Sequence, residues 1–225
     1  MKSAHVPAVL VLASPKGGVG KSSIAQALAG HWLLAGHKPA LVDADPQGSA
    51  ASWHQGQGAL ASLSVTVDPS EGVGRTIGDL ARSRRPVIVD TAGFRNRTTI
   101  EAIAAADCVI IPLRASPADI PGAVDTFRLV GEINETAERR GRPVVARLLL
   151  SMVTAGSVVS RHIRAQLVEA GLPVLKAELA NRVAWAEAAL SGDTPSTMNA
   201  ASVAAAEIAA LAEEIERITR KAKAA

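Results

Sequence analysis

One short segment constrains the fold of this chain more than any other. Lys16-Gly17-Gly18-Val19-Gly20-Lys21-Ser22 follows the apolar run Ala8–Ala13 and opens a helical pattern that runs to about Ala35. Three glycines between a strand and a helix let backbone N–H groups turn inward around an anion. The helix beginning at Lys21 adds the positive end of its dipole. With the preceding residues the segment fits G-x-x-x-x-G-K-[ST] except at the first glycine, where Pro15 stands. In that pattern Lys21 reaches the β and γ phosphates of a nucleotide, and the Ser22 hydroxyl ligates Mg²⁺. A glycine-rich turn of no function is the competing reading, and the strand–loop–helix context disfavours it.

The rest of the chain repeats the same alternation. Strands are expected at Pro39–Val42, Leu63–Val67, Pro86–Val89, Cys108–Leu113, Pro143–Met152 and Leu172–Leu175. Helices are expected at Ile77–Arg82, Thr98–Ala106, Ala118–Arg140, Ser157–Ala170, Arg182–Leu190 and Ala200–Lys223. Short apolar runs alternating with helices predict an α/β fold, doubly wound, with a mostly parallel sheet and helices on both faces. No composition break divides the 225 residues, so residues 1–225 read as a single domain. In such sheets ligands bind beyond the carboxyl ends of the strands. Glycine and aspartate gather at three such ends: Pro15–Gly20, Asp43–Gly48 and Asp90–Gly93. Asp45 stands beside the phosphate loop, where a carboxylate can orient water on a γ-phosphate or hold a metal-bound water. Asp90 closes an apolar strand, where a Mg²⁺-bound water would satisfy it.

The motifs resemble the deviant Walker A ATPases of the ParA/MinD type, and the resemblance spans nearly the whole chain. Lys16-Gly17-Gly18-Val19-Gly20-Lys21-Ser22 is similar to that family's phosphate loop. Asp43-Ala44-Asp45-Pro46-Gln47 is similar to its DxDPQ motif, and Val87-Ile88-Val89-Asp90-Thr91-Ala92-Gly93 to its Walker B region. Ala188–Pro195 resembles the loop before the last helix of small plasmid-type members. The resemblance implies a P-loop NTPase fold, ATP and Mg²⁺ as cofactors, and ATP hydrolysis. It implies that Lys16 reaches the partner's nucleotide across a sandwich dimer, that Lys21 and Asp45 are catalytic, and that Asp43 helps order the site. ATP would meet residues 16–23 (Lys16, Gly17, Gly18, Val19, Gly20, Lys21, Ser22 and Ser23), with Met152, Asp193 and Pro195 near the adenine. Ser22, Asp43 and Asp90 would serve the metal. Asp119 follows a Ser-Pro turn and is read as the cap of the helix to Arg140.

Composition bears on partners. The chain has no Tyr, two Phe and three Trp, too few stacking platforms for a single-strand nucleic-acid binder. Its single cysteine, Cys108, excludes a disulfide framework within one chain and reads as buried strand filler. No run of about 18 apolar residues occurs, so no membrane span is expected. The tail Glu216–Lys223 has one Ile and no aromatic residue, too little apolar area for a membrane anchor. Ile208, Leu211, Ile215 and Ile218 instead read as a face docked on the core. The phosphate loop begins so early that no preceding DNA-binding domain is expected.

The formal net charge of +3 conceals an asymmetry. From Arg139 to Arg182 eight basic residues face two acidic ones, and Arg82, Arg84, Arg85, Arg95 and Arg97 surround only Asp90. This distribution suits a surface that tracks duplex phosphates without reading bases. Arg161, Arg164 and Arg182 are the candidate DNA contacts. The expected protein is a cytoplasmic, nucleoid-associated partitioning ATPase. The resemblance implies that it dimerises with ATP, binds nonspecific DNA and is released when a ParB-like or cargo-adaptor protein stimulates hydrolysis. Positioning of a protein cargo such as a carboxysome or chemoreceptor cluster would use the same cycle. A metabolic P-loop ligase and a switch without turnover are the more distant alternatives.

Overall fold

The computed structural model describes residues 6–54, 58–93 and 96–223. In chain order the elements are β1 (Val9–Leu12), α1 (Lys21–Leu34), β2 (Ala40–Ala44), α2 (Ser49–Trp53), β3 (Ser64–Val67), α3 (Val73–Ala81), β4 (Val87–Thr91) and α4 (Arg97–Ala105). They continue with β5 (Cys108–Leu113), α5 (Ile120–Asn134), β6 (Val145–Val153), α6 (Val158–Glu169), β7 (Val174–Ala180), α7 (Val183–Ser191), α8 (Pro195–Met198) and α9 (Val203–Lys223). The seven strands form one sheet in the order β3-β2-β4-β1-β5-β6-β7, and every named pairing is parallel.

Alternation along the central strands explains their continuous apolar runs. Val9 and Val11 face one layer with Val42, Val89 and Val109, covered by Ile77 of α3, Ile103 of α4, Leu129 of α5 and Ile163 of α6. Leu10 and Leu12 face the other with Leu41, Ile88 and Ile110, covered by Leu28 and Trp32 of α1 and Leu211 and Ile215 of α9. Both faces of the sheet are thus buried, so both sets of strand positions must be apolar. The expected docking face of the last helix holds: Ile208, Leu211, Ile215 and Ile218 are all buried. Trp32 is fully buried and its indole N–H donates to Glu216 Oε1 at 2.8 Å, which fixes α9 against α1. Cys108 is buried in β5, where burial pushes its thiol up to about 12.

Two expected elements differ, and two short helices were not expected. The long helix Ala118–Arg140 is shorter, because 3₁₀ turns occupy Pro117–Asp119 and Ala137–Arg139 on either side of α5. Its last residue, Asn134, bonds through both ends of its amide to Val144, which ties the helix end to the start of β6. The last strand is Val174–Ala180, not Leu172–Leu175. It is a sheet edge where Lys176 and Glu178 interrupt the apolar residues, so a search for an unbroken run stops too early. The short helices α2 and α8 had no periodic signal.

Candidate nucleotide site

β1 lies at the centre of the sheet, and its carboxyl end delivers the phosphate loop between the ends of β2 and β4 on one side and of β5 and β6 on the other. Gly18 and Gly20 take φ of 70° and 85°, conformations that glycine adopts without strain. Between them Val19 is fully buried, and its carbonyl accepts a bond from Ser151 Oγ at 2.8 Å. That anchor holds the loop while leaving its glycines open. α1 begins without a side-chain cap, so the N–H groups of its first turn remain for a ligand.

Pro15, the departure from the usual first glycine, is accommodated by another glycine. A Cβ at Gly122 of α5 would lie 2.6 Å from Pro15 Cγ. Gly93 after β4 faces the same loop, with a Cβ position 3.4 Å from the Pro15 carbonyl. Both sites demand close approach of backbone to the loop.

The charged groups sort by burial and partners. Lys21 is 8% exposed, and its ammonium lies 3.5 Å from the Lys16 carbonyl. Burial lowers its pKa, and Asp90 and Asp45 raise it in opposition. Asp90 is fully buried, and neither carboxylate oxygen makes a hydrogen bond of normal geometry. Burial pushes its pKa up to about 7; the Ser22 hydroxyl pulls it down and Asp43 pushes it further up. An orphaned carboxylate beside Ser22 and the phosphate loop fits a divalent cation. Among the described residues no cluster of three His, Cys, Asp or Glu forms a metal cage. Mg²⁺ here would therefore take phosphate oxygens and water as further ligands.

Asp43 is equally buried but fully engaged: one oxygen accepts from Asp45 N at 3.2 Å and the other from Ala51 N at 2.7 Å. This is an ordering geometry, in which each carboxylate oxygen accepts one backbone N–H. Asp45 stands half-buried at the rim, where Oδ1 accepts from Gln47 N at 2.9 Å. An open cleft of about 670 Å³ joins Gly17, Lys21, Ser22, Ser23, Asp45 and Trp53. Lys16 is exposed and does not line it. Lys16 instead borders a second cavity of about 400 Å³ against Gly122 and Asp125 of α5.

Asp119 does not cap a helix. Ser116 caps the turn, donated to by Ala118 N, and α5 starts without a side-chain cap. Asp119 is 2% exposed and pairs with Arg114 through Nε at 2.9 Å and Nη2 at 3.1 Å. The Arg114 guanidinium holds its carboxyl below the ordinary value, with Lys16 adding to the effect. A planar guanidinium five residues away matched both oxygens better than a lone N–H did.

Beyond the phosphate loop, Met152, next to last in β6, takes φ of 54° and lines a small apolar recess with Gly20, Ser23, Ile24, Ala180 and Trp185. Trp185, whose indole N–H donates to Ala180 O at 3.2 Å, was not anticipated, although it is one of three tryptophans in the chain. Asp193 and Pro195 line neither this recess nor the cleft. Pro195 is buried at the start of α8, and the Asp193 carbonyl accepts from Trp53 Nε1 at 3.2 Å.

The three candidate DNA arginines separate. Arg161 is exposed and donates only to the Gly156 carbonyl in the same turn. Arg164 pairs with Glu178 at 2.7 Å and also donates to the Leu175 carbonyl. Arg182 pairs with Glu207 at 2.6 Å. Their partners come from β7 and α9, which only the tertiary fold brings alongside. Of the second basic group, Arg97 pairs with Glu71 and Arg82 with Asp79, both in the open, while Arg95 lies outside the described residues.

Comparison with known proteins shows the family and the fold. The model of the CobQ/CobB/MinD/ParA nucleotide binding domain matches residues 10–195, and the chain belongs to that family. The chain is 28% identical over 181 residues to Protein ParA of Rhizobium radiobacter, covering 79% of this chain and 80% of that one. It is 29% identical over 224 residues to maintenance of carboxysome distribution protein A of Gloeobacter kilaueensis, covering 97% and 99%. The fold matches that of the septum site-determining protein MinD complexed with Mg-ADP from Pyrococcus horikoshii, with a TM-score of 0.72 at 15% identity over 95% and 98% of the chains. Among the described residues no helix is long and apolar enough to cross a membrane.

Proposed function

We propose that the chain is an ATP-dependent positioning ATPase that segregates plasmid or chromosomal DNA. The observation that carries this reading is the buried Asp90 carboxylate, which lacks a regular hydrogen bond and lies close to Ser22, Lys21 and Asp45 of the phosphate cleft. Bound ATP would lay its phosphates on the N–H groups of Gly17 to Ser23, with Lys21 neutralising charge at the β and γ positions. Mg²⁺ held through Ser22 and Asp90 would supply further neutralisation of the phosphates. Asp45 orients the attacking water, and Asp43 keeps the Asp45 loop in place. The base would lie over Gly20 and Ser23 toward Met152 and Trp185.

Lys16 is exposed and borders the cavity beside α5 rather than its own cleft, as suits a residue that acts on a partner's nucleotide. ATP would close two chains into a homodimer in which each Lys16 meets the other's phosphates. The dimer would hold nonspecific duplex DNA electrostatically, with Arg161 as the exposed contact. A ParB-like or cargo-adaptor protein would accelerate hydrolysis and release the dimer from the nucleoid in the cytoplasm.

The likeness to a carboxysome-distribution protein over 97% of the chain favours a second reading, in which the same cycle positions a protein cargo. One experiment tests the shared motor: sedimentation with and without Mg·ATP, followed by DNA retention of each species. ATP-dependent dimers that retain DNA support the proposal. A chain that stays monomeric with ATP, or binds DNA equally without it, overturns it. Partner-stimulated turnover with the neighbouring gene product then separates the two cargoes.

A further inference from the structure

α2 is five residues long, too short to hold itself, yet it follows the Asp45 loop directly. Tertiary bonds seat it. Ala51 N donates to Asp43 Oδ2 at 2.7 Å, and Gln26 Nε2 of α1 donates to the Ala50 carbonyl at 2.6 Å. Its last residue, Trp53, lines the phosphate cleft and donates its indole N–H to the Asp193 carbonyl at 3.2 Å, 140 residues away.

The acceptor is itself firmly held. Gly192 turns the chain at φ of 69°, and Asp193 N returns to the Ala188 carbonyl at 2.9 Å. Thr194 and Thr197 form a reciprocal capping box at the start of α8, and Thr197 Oγ1 donates to Asp193 Oδ1 at 3.1 Å. Thr194 in turn packs on α1, where a Cβ at Gly30 would stand 2.8 Å from Thr194 Oγ1. α1 begins with Lys21 and Ser22. The helix that opens at the phosphate loop is therefore linked, from Gly30 in its later turns, through Thr194, Asp193 and Trp53 to the loop carrying Asp45.

Resting on the ATPase reading above, we propose that Trp53 is a positioning residue that sets Asp45 relative to the bound phosphates through its bond to the Asp193 carbonyl. The loop that the sequence placed near adenine thereby acts on hydrolysis through Trp53.

The test is steady-state ATP turnover of Trp53→Phe, which keeps an aromatic ring and removes the donor. Expected is a fall in kcat of about three- to tenfold, the worth of one hydrogen bond, with KM and melting temperature little changed. Gly30→Ala, which pushes on Thr194 from the other side, should also slow turnover. The double variant should be no slower than the slower single one, because both act through one linkage. Should Trp53→Phe not fold, the benzothiophene analogue of tryptophan at position 53 keeps the ring size without the N–H. Unchanged kcat, a matching loss of nucleotide affinity, or additive effects of the two substitutions would each overturn the proposal. A wild-type chain that binds no ATP, or never turns it over, removes the ATPase reading itself. Wild-type turnover matched by the variant removes only the role of Trp53.

Discussion

Asp43 and Asp90 stand opposite each other in paired strands β2 and β4, yet their carboxylates have opposite surroundings. Both are fully buried. Asp43 accepts two backbone N–H bonds, whereas neither oxygen of Asp90 has a normal partner. Such a group is costly in the absence of ligand and valuable once a cation arrives.

Asp90 should therefore give a pH signature in chelator. Burial raises its native pKa from the ordinary 3.8 to about 7, so between those values the native chain holds a proton that the unfolded chain has released. Stability contributed by Asp90 falls as pH rises through that window and levels off above about pH 7. Asp90→Asn should lose this slope and be at least as stable as wild type at neutral pH without metal. It should also lose most of the stabilisation given by Mg·ATP. Denaturant titrations across pH, with and without Mg·ATP, check both parts.

Asp45→Ala should separate binding from chemistry. Asp45 sits at the cleft rim and bonds only within its own turn, so its removal leaves the phosphate loop intact. ATP binding by calorimetry should persist, while partner-stimulated turnover falls by about a hundredfold or more. Loss of binding in step with turnover would assign Asp45 to the ground state instead.

Lys16→Ala should leave ATP binding by the single chain in place and abolish ATP-dependent dimers. The basis is its exposed position on the α5 side of the loop, outside its own cleft. Sedimentation with Mg·ATP decides it, and dimers of wild-type affinity would remove Lys16 from the interface.

Gly122→Ala should destabilise the chain by about 1–3 kcal/mol, because its methyl would press on the rigid Pro15 ring at 2.6 Å. Pro15→Gly in the same chain should recover much of that loss. Urea unfolding of the single and double variants measures the coupling; independent effects would show that the contact relaxes freely.

The arginines of α6 should respond differently to charge reversal. Arg161→Glu should weaken salt-sensitive DNA retention with stability unchanged, since Arg161 is exposed and makes no ion pair among the described residues. Arg164→Glu should lower the melting temperature, because it sets a second carboxylate against Glu178. Melting curves and DNA retention at two salt concentrations distinguish the two positions.

Much of the site was readable from local pattern. The strand–glycine–helix order placed Lys21 and Ser22, and the ends of apolar runs placed Asp43, Asp45 and Asp90, because strand alternation and glycine conformations are properties of adjacent residues. Asp119 misled, since a residue after Ser-Pro looks like a cap until Arg114 is seen to take both its oxygens. Trp53 and Trp185 gave no pattern at all, because each is tied in by one indole N–H to a carbonyl that the fold supplies.

By itself the sequence determined a parallel α/β sheet with a phosphate loop at its centre and carboxylates beside it. The tertiary structure alone decided which of those groups are free. Asp90 is orphaned while Asp43 is satisfied, and Arg161 is open while Arg164 and Arg182 are paired. Charge and periodicity are written in neighbouring residues, but a hydrogen bond such as that from Trp53 to Asp193 joins residues that only packing brings together.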